Sequence, residues 1–179
     1  MDTNEFRQKI IPLSNKLLRF AGFFLKDGED AKDAVQDVLL KLWQKRDGLS
    51  GVENLQAFAM QATRNLCLDR IKARRTVRMD EQAEIKTGTL AEMKDATEWK
   101  DTAGQIRDLI GKLPEQQRTV IYLRDIGQLE YPEIAVITGM ELNAVRVNLS
   151  RARKQVRDEL LKRWENEDRR SKNIAAKVF

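Results

Sequence analysis

Residues 128–157 decide the fold of the second half of this chain and read QLEYPEIAVITGMELNAVRVNLSRARKQVR. Pro132 suits the first turn of a short helix, because the N–H that proline lacks has no helical partner there. Gly139 can adopt the left-handed conformation that ends such a helix. After a turn over residues 140–142, Asn143 is a candidate N-cap for a second, longer helix. Two helices joined by a glycine-containing turn are typical of a helix-turn-helix.

The second predicted helix has one apolar face and one basic face. Apolar side chains recur along it at helical spacing, at Val145, Leu149, Ala152, Val156 and Leu160. The other face carries side chains that can reach base edges and phosphates, namely Arg146, Val147, Ser150, Arg151 and Lys154, with Arg153 and Arg157 at its margins. A valine among arginines can touch a thymine methyl group in a major groove. The alternative interpretation is a solvated basic face on an ordinary helical hairpin.

The composition narrows the class of protein. The chain has 179 residues, of which 34% are charged and 41% hydrophobic, and this favours one large or two small soluble domains. A net charge of +5 favours an anionic partner. The absence of histidine and the single cysteine, Cys67, exclude a Cys/His zinc site and an internal disulfide. We therefore expect no metal, no cofactor and a cytoplasmic location, since no apolar run could span a membrane and no signal peptide is present.

The pattern of residues predicts an all-α fold. Only 9 glycines and 3 prolines interrupt the chain, and strand-like alternation is absent. We predict two small helical domains, at residues 1–75 and 98–164, joined by a flexible linker over residues 76–97. A charged tail follows over residues 165–179, and fraying is expected beyond Leu161.

The first half of the chain contains the clearest amphipathic helix. Residues 4–25 predict one or two helices around Pro12, and residues 31–46 predict the amphipathic one, with Asp30 as its candidate N-cap. Its core positions are Ala31, Ala34, Val35, Val38, Leu39, Leu42 and Trp43. The opposite face carries Asp33, Gln36, Asp37, Leu40, Lys41 and Gln44. Leu40 on this polar face is a sign of a protein-binding surface, although a single exposed leucine needs no function.

A basic cluster ends the next predicted helix. Residues 47–54 predict a loop, and residues 55–75 predict a helix that finishes with Arg70, Lys72, Arg74 and Arg75. Cations at a helix C-terminus also suit the helix dipole. The cluster therefore indicates either nucleic-acid contact or a stabilised helix end. No glycine-rich phosphate loop, nucleophile–base pair or metal-ligand cluster occurs in the sequence, so we expect a protein that is not an enzyme.

Taken together, four segments resemble the extracytoplasmic-function group of bacterial RNA polymerase sigma factors. They are DAKDAVQDVLLKLWQKRD (residues 30–47), FAMQATRNLCLDRIKARR (58–75), LPEQQRTVIYLRDIGQLEYPEIAVITG (113–139) and AVRVNLSRARKQVRDEL (144–160). The resemblance extends over about residues 6–161. The segments before and after the predicted linker occur in the same order as in this family. Together they identify the family more specifically than a helix-turn-helix alone would. The resemblance implies a factor that binds core RNA polymerase, directs it to promoters and assists promoter melting.

The resemblance also implies roles for particular residues. Binding to the β′ coiled coil of core polymerase is implied for Asp33, Gln36, Asp37, Leu40 and Gln44. Contact with the minus-ten element is implied for Gly48, Ser50, Asn54, Arg64, Asn65, Arg70, Arg74 and Arg75. Contact with the minus-thirty-five element is implied for Asn143, Arg146, Val147, Ser150, Arg151 and Lys154. The implied partners are core RNA polymerase, through its β′ coiled coil and β flap, promoter DNA and an anti-sigma factor, which can be membrane-bound. The free protein is implied to be a monomer.

Two departures from the family pattern affect the expected DNA preference. Val147 and Asn148 stand where many members have a small polar residue and a basic one. The helix around Phe58 is poor in aromatic residues, which matches a group that tends to be strict about its promoters. A stand-alone helix-turn-helix regulator is the alternative function, and residues 30–47 count against it because such a regulator has no use for that segment. The outward Arg146 and Arg151 count against a scaffold protein that binds no DNA.

Overall fold

The computed structural model describes residues 1–80 and 98–178, except the side chains at positions 75, 77–80, 98–101 and 167–178. The chain separates into two compact units, Met1–Met93 and Lys94–Phe179. The described residues contain helices and no strand, which confirms the predicted all-α class. The α-helices are α1 (Thr3–Lys9), α2 (Ser14–Leu25), α3 (Gly28–Gln44), α4 (Leu55–Asp80), α5 (Glu98–Gly111), α6 (Glu115–Ile121), α7 (Tyr131–Thr138) and α8 (Leu142–Val178).

In the first unit, α2, α3 and α4 pack against one another around a shared core. The largest fully buried side chains there are Ile10, Leu17, Phe20, Val38, Met60 and Thr63. The buried hydroxyl of Thr63 donates to the Ala59 carbonyl at 2.8 Å, so burying this polar group leaves no orphaned donor. The predicted interruption at Pro12 is confirmed, because a 3₁₀ turn over Ile11–Leu13 separates α1 from α2.

Helix α3 begins earlier than predicted, and its N-cap is Asp27 instead of Asp30. The Asp27 carboxylate accepts hydrogen bonds from the backbone N–H groups of Glu29, at 2.9 Å, and of Asp30, at 3.0 Å. Asp30 thus lies in the first turn, where a negative charge suits the helix dipole. The prediction was wrong because both aspartates suit a cap, and only the left-handed backbone of Lys26, at φ 59°, fixes where α2 ends.

Most of the loop predicted over residues 47–54 is a 3₁₀ helix, Arg46–Gly51. Leu49 in this helix is buried, so the segment packs against the first unit. Helix α4 then continues to Asp80, beyond the predicted end at residue 75. The first glycine or proline after it is Gly88, so nothing in the sequence stops the helix at residue 75. The remainder of the predicted linker, residues 81–97, lies outside the described residues.

In the second unit, α5, α6 and α7 pack against α8. The side chains that fill this core are Val120, Leu123, Ile134, Ile137, Val145 and Leu149. Between α6 and α7 the chain forms a π turn over Tyr122–Ile126, closed by a hydrogen bond from the Gly127 N–H to the Tyr122 carbonyl at 2.8 Å. A Cβ at position 127 would lie 2.8 Å from the Leu123 carbonyl oxygen, so the turn requires glycine.

The predicted helix-turn-helix is confirmed as α7, a short turn and α8. Pro132 lies in the first turn of α7, and Gly139 ends that helix in the left-handed region, at φ 69°. Helix α8 starts at Leu142, so Asn143 lies inside its first turn. The prediction that Asn143 is the N-cap was therefore wrong.

Helix α8 also differs from the prediction at its far end, where it continues to Val178 although fraying was expected beyond Leu161. Charges one helical turn apart support the extension, since Lys162 pairs with Glu159 at 2.8 Å. Across the described part of the chain, none of the helices combines the length and the apolar character needed to cross a bilayer.

Candidate polymerase and nucleic-acid interfaces

The residues assigned to polymerase binding lie together on the solvent side of α3. All five are exposed, namely Asp33, Gln36, Asp37, Leu40 and Gln44, and we call this set the α3 face. Leu40 is 55% exposed, so it is not one of the buried core residues. The opposite side of α3 is buried at Ala34, Val35, Val38 and Leu42, whereas Leu39 and Trp43, predicted as core, are only half-buried. The α3 face is therefore available without disturbing the fold.

Two arginines assigned to the minus-ten element are paired with carboxylates of α3. Arg70 Nη2 lies 2.5 Å from Asp37 Oδ2, and Arg70 Nη1 donates to the Asp30 carbonyl at 3.1 Å. Arg74 pairs with the Asp30 carboxylate. The side chain of Arg75 lies outside the described residues. The basic end of α4 thus ties α4 to α3, and one of the carboxylates it uses, Asp37, belongs to the α3 face.

The other residues assigned to the minus-ten element belong to two neighbouring segments. Gly48 and Ser50 are exposed in the 3₁₀ helix before α4, and the Ser50 hydroxyl accepts a hydrogen bond from the Met1 amino group at 2.6 Å. Asn54 is exposed just before α4, and its side-chain oxygen accepts from the Ala57 N–H at 2.8 Å. Asn54 is therefore an N-cap of α4.

Arg64 and Asn65 follow on α4 itself. Arg64 is half-buried and Asn65 is exposed, and the Arg64 guanidinium donates to the Asn65 side-chain oxygen at 3.4 Å. This bond is long, so it restricts Asn65 only weakly. The exposed amide has a donor and an acceptor that could meet the edge of an unpaired base.

The residues assigned to the minus-thirty-five element share the exposed side of α8. They are Asn143, Arg146, Val147, Ser150, Arg151 and Lys154, and we call this set the recognition face. Val147 is 46% exposed, as expected for a side chain that could touch a thymine methyl group. Asn148 is half-buried, and its side-chain NH₂ donates to the Ala144 carbonyl at 2.9 Å. Of the two residues that depart from the family pattern, Val147 is thus exposed and Asn148 is half-buried.

A concave surface of about 400 Å³ overlaps the recognition face, and its lining was only partly predicted. Its lining residues are Tyr131, Arg146, Leu149, Ser150, Arg153, Lys154 and Arg157. Arg153, predicted at the margin of the basic face, makes a bidentate pair with Asp125, at 3.0 Å from Nε and 2.5 Å from Nη2. Its hydrogen bonds with Asp125 raise the pKa of Arg153. This pair joins the π turn to α8, so Arg153 stabilises the arrangement of the two segments that form the surface.

Sequence analysis missed the part that Tyr131 and Arg124 play at this surface. The Arg124 guanidinium donates to the Leu129 carbonyl at 2.8 Å, pairs with Glu130 at 2.9 Å and lies 4.9 Å from the centroid of the Tyr131 ring. The Arg146 guanidinium lies 5.7 Å from the same centroid. Tyr131 immediately precedes Pro132 at the start of the first helix of the motif. That position does not show what the side chain contacts, because a residue before proline is restricted only in its backbone.

The thiol of Cys67 has no part in these surfaces. Cys67 is fully buried, and burial raises the pKa of its thiol to about 12. The thiol is therefore protonated at neutral pH and is a poor nucleophile. Among the described residues, no group of three or more His, Cys, Asp and Glu side chains is placed to hold a metal ion.

Comparison with known proteins assigns both units to one family. Residues 12–77 match the family model described as Sigma-70 region 2, and residues 103–156 match the model described as Sigma-70, region 4. The chain is 28% identical over 158 residues to the RNA polymerase sigma-E factor of Streptomyces avermitilis, a match that covers 87% of this chain and 85% of that protein. It is 27% identical over 157 residues to the ECF RNA polymerase sigma factor SigE of Mycolicibacterium smegmatis, covering 83% and 59% respectively.

A solved structure agrees with this assignment. The sigma factor RpoE of Bartonella quintana, crystallised in complex with the anti-sigma factor NepR, matches with a TM-score of 0.75 and 25% identity. The match covers 89% of this chain and 98% of that one. The region 2 match contains the α3 face, and the region 4 match contains the recognition face. The chain therefore belongs to the extracytoplasmic-function group of the sigma-70 family of RNA polymerase sigma factors.

Proposed function

We propose that this sigma factor uses three surfaces, each for a different target. The α3 face docks on core RNA polymerase. The segment 48–54, together with Arg64 and Asn65, captures an unpaired base of the minus-ten element. The recognition face reads the minus-thirty-five element as duplex DNA. The chain itself carries out no chemistry, and its function is to bring polymerase to a promoter.

The observation that carries the proposal is the division of α3 into a buried side and an exposed side. The core needs only the buried side, yet the exposed side combines two carboxylates with Leu40, which is 55% exposed. An exposed leucine beside charged groups suits a protein partner, because an interface gains from apolar contact at its centre and from charge complementarity around it. A basic surface on polymerase would meet Asp33 and Asp37 favourably.

The minus-ten surface has the groups that an unpaired base requires. An extruded base needs hydrogen-bond partners for its edge, and the exposed Ser50 and Asn65 can provide them. Arg70 and Arg74 already bind carboxylates. Their use as phosphate ligands therefore requires them to exchange a carboxylate for a phosphate. A guanidinium can form two parallel hydrogen bonds with either anion, so the exchange replaces one charged hydrogen-bonded pair with another.

The recognition face suits duplex DNA for a different reason. Arg146 and Arg151 lie exposed on one helix, and arginine can bind guanine through two hydrogen bonds in the major groove. One helix-turn-helix makes few base contacts, so useful selectivity requires a second module in the same chain. The first unit supplies that second module.

An anti-sigma factor is the proposed inhibitor. The Bartonella quintana sigma factor that this chain resembles was solved in complex with such a protein. The α3 face and the recognition face are two of the three exposed surfaces that the activity needs. A partner that covered either of them would hold the sigma factor inactive.

One series of gel-shift and transcription assays tests the proposed function. The chain alone should bind duplex promoter DNA weakly and with a steep dependence on salt, because phosphate contacts dominate such binding. Addition of core polymerase should convert this to specific binding and to open-complex formation. Tight and specific binding by the chain alone, indifferent to polymerase, would instead favour a stand-alone helix-turn-helix regulator.

A further inference from the structure

Tyr131 lies in the concave surface beside the recognition face, although it belongs to the first helix of the motif. It is the first residue of α7, and its side chain lines the surface together with Arg146, Ser150 and Lys154. Three of these four residues come from α8. Tyr131 is therefore the point at which α7 reaches the side chains that would face DNA.

The ring of Tyr131 is held on one side by a fixed cation. Arg124 lies 4.9 Å from the ring centroid, and its guanidinium is anchored by the Leu129 carbonyl and by the Glu130 carboxylate. Because Glu130 balances the charge of Arg124, the ring can accept a second cation without strong repulsion between the two. The hydrogen bond to Glu130 also raises the pKa of Arg124.

The second cation is Arg146, whose guanidinium lies 5.7 Å from the ring centroid. Arg146 is exposed, and its other described contact is a long hydrogen bond, 3.4 Å, to the Asn143 side chain. A free arginine side chain samples many rotamers and loses that freedom when it binds a base. Contact with a fixed aromatic ring removes part of that freedom before DNA arrives.

We propose that Tyr131 is a positioning residue that holds Arg146 towards the major groove and thereby sharpens base preference at the position that Arg146 reads. This inference rests on the proposed reading of duplex DNA by the recognition face. It assigns the effect to the aromatic ring and not to the hydroxyl group. A direct bond from the hydroxyl to a phosphate would instead raise affinity for every sequence alike.

The experiment uses the full chain with core polymerase and a promoter library that varies each base of the upstream element. Tyr131→Leu removes the ring, and Tyr131→Phe keeps it while removing the hydroxyl. Each substitution is made in the native chain and in Arg146→Ala. Base preference should fall about two- to fivefold in Tyr131→Leu, as expected for loss of an exposed cation–π contact, and only at the position affected by Arg146→Ala. Tyr131→Phe should retain the native preference, and Tyr131→Leu should add nothing to Arg146→Ala.

The possible failures can be told apart. A uniform loss of binding across all sequences in Tyr131→Leu, or an equal loss in the Arg146→Ala background, would overturn the positioning role. Native preference in Tyr131→Leu together with lost preference in Arg146→Ala would overturn it as well, and would leave the proposed function intact. Native preference in Arg146→Ala would reject base reading by Arg146, and the positioning role would fall with it.

A spectroscopic measurement covers the case in which Tyr131→Leu does not fold. In the free native chain, the side-chain NMR signals of Arg146 should be displaced by the ring current of Tyr131, and Tyr131→Phe should preserve this displacement. Arg146 signals at the positions of an unperturbed arginine would show that the ring does not hold the guanidinium, and would overturn the inference.

Discussion

Reversal of the charge at Asp37 separates two roles that this carboxylate combines. Asp37 belongs to the α3 face and also pairs with Arg70 at 2.5 Å, with Asp37 51% and Arg70 25% exposed. Without that pair, reversal of an exposed charge would change the free energy of unfolding by no more than about 0.5 kcal/mol. With it, Asp37→Arg removes an ion pair worth up to about 1 kcal/mol and introduces a repulsion of similar size. We therefore expect a loss of stability of about 1–2 kcal/mol, with the native fold kept.

A charge swap then distinguishes folding from docking. The double variant Asp37→Arg/Arg70→Asp restores an ion pair between α3 and α4, so its free energy of unfolding should return towards the native value. Its binding to core polymerase should stay as weak as that of Asp37→Arg, because a positive charge still stands where a basic partner surface would dock. Asp108→Arg, an exposed reversal on α5 outside the three proposed surfaces, is the matched control and should leave polymerase binding unchanged.

Urea unfolding followed by circular dichroism measures the stability of the three variants, and a fluorescence titration with core polymerase measures their affinity. Native affinity in Asp37→Arg would refute docking through the α3 face. Recovery of affinity in the double variant would show that Asp37 acts only by orienting Arg70 and α4. Equal weakening by Asp108→Arg would mean that the effect of Asp37→Arg reflects overall charge.

Four further outcomes are expected. Arg146→Ala or Arg151→Ala should weaken recognition of the upstream element by about 1–3 kcal/mol where a base contact is lost, and unchanged binding and base preference in both variants would reject this assignment. Exchange of residues 48–54 for the loop of another family member should alter preference at one base of the downstream element in a promoter library, and should leave the upstream preference alone. Hydrogen exchange in a complex with an anti-sigma factor should show protection of the α3 face, the recognition face or both; protection confined to residues after Leu161 would contradict this. The free energy of unfolding should fall as pH rises from 9 towards 12, because the unfolded Cys67 thiol ionises near pH 9.0 while the folded thiol keeps its proton; Cys67→Ala should lack this contribution, which amounts to about 1.4 kcal/mol per pH unit.

Helix positions were predictable because periodicity and turn residues act locally. The helix-turn-helix follows from Pro132 and Gly139, whose backbone preferences hold in any surroundings. Helix ends were less predictable, since several residues compete for the same cap. Asp27 and Asp30 both suit an N-cap, and the choice between them depends on where α2 ends. The buried Leu49 likewise turns a predicted loop into a 3₁₀ helix, through contacts that the local sequence does not contain.

The all-α class, the helix-turn-helix and the exposed residues of the α3 and recognition faces could be predicted from the amino-acid pattern, because each depends on helical spacing within one segment. Tertiary structure alone decided which of those residues bind one another. The pairs Arg70–Asp37 and Arg153–Asp125 join positions 33 and 28 residues apart, and the contact of Tyr131 with Arg146 joins two helices. Side chains so distant in sequence meet only because packing of the apolar cores fixes the distance and rotation between helices. No pattern within a single helix contains that information.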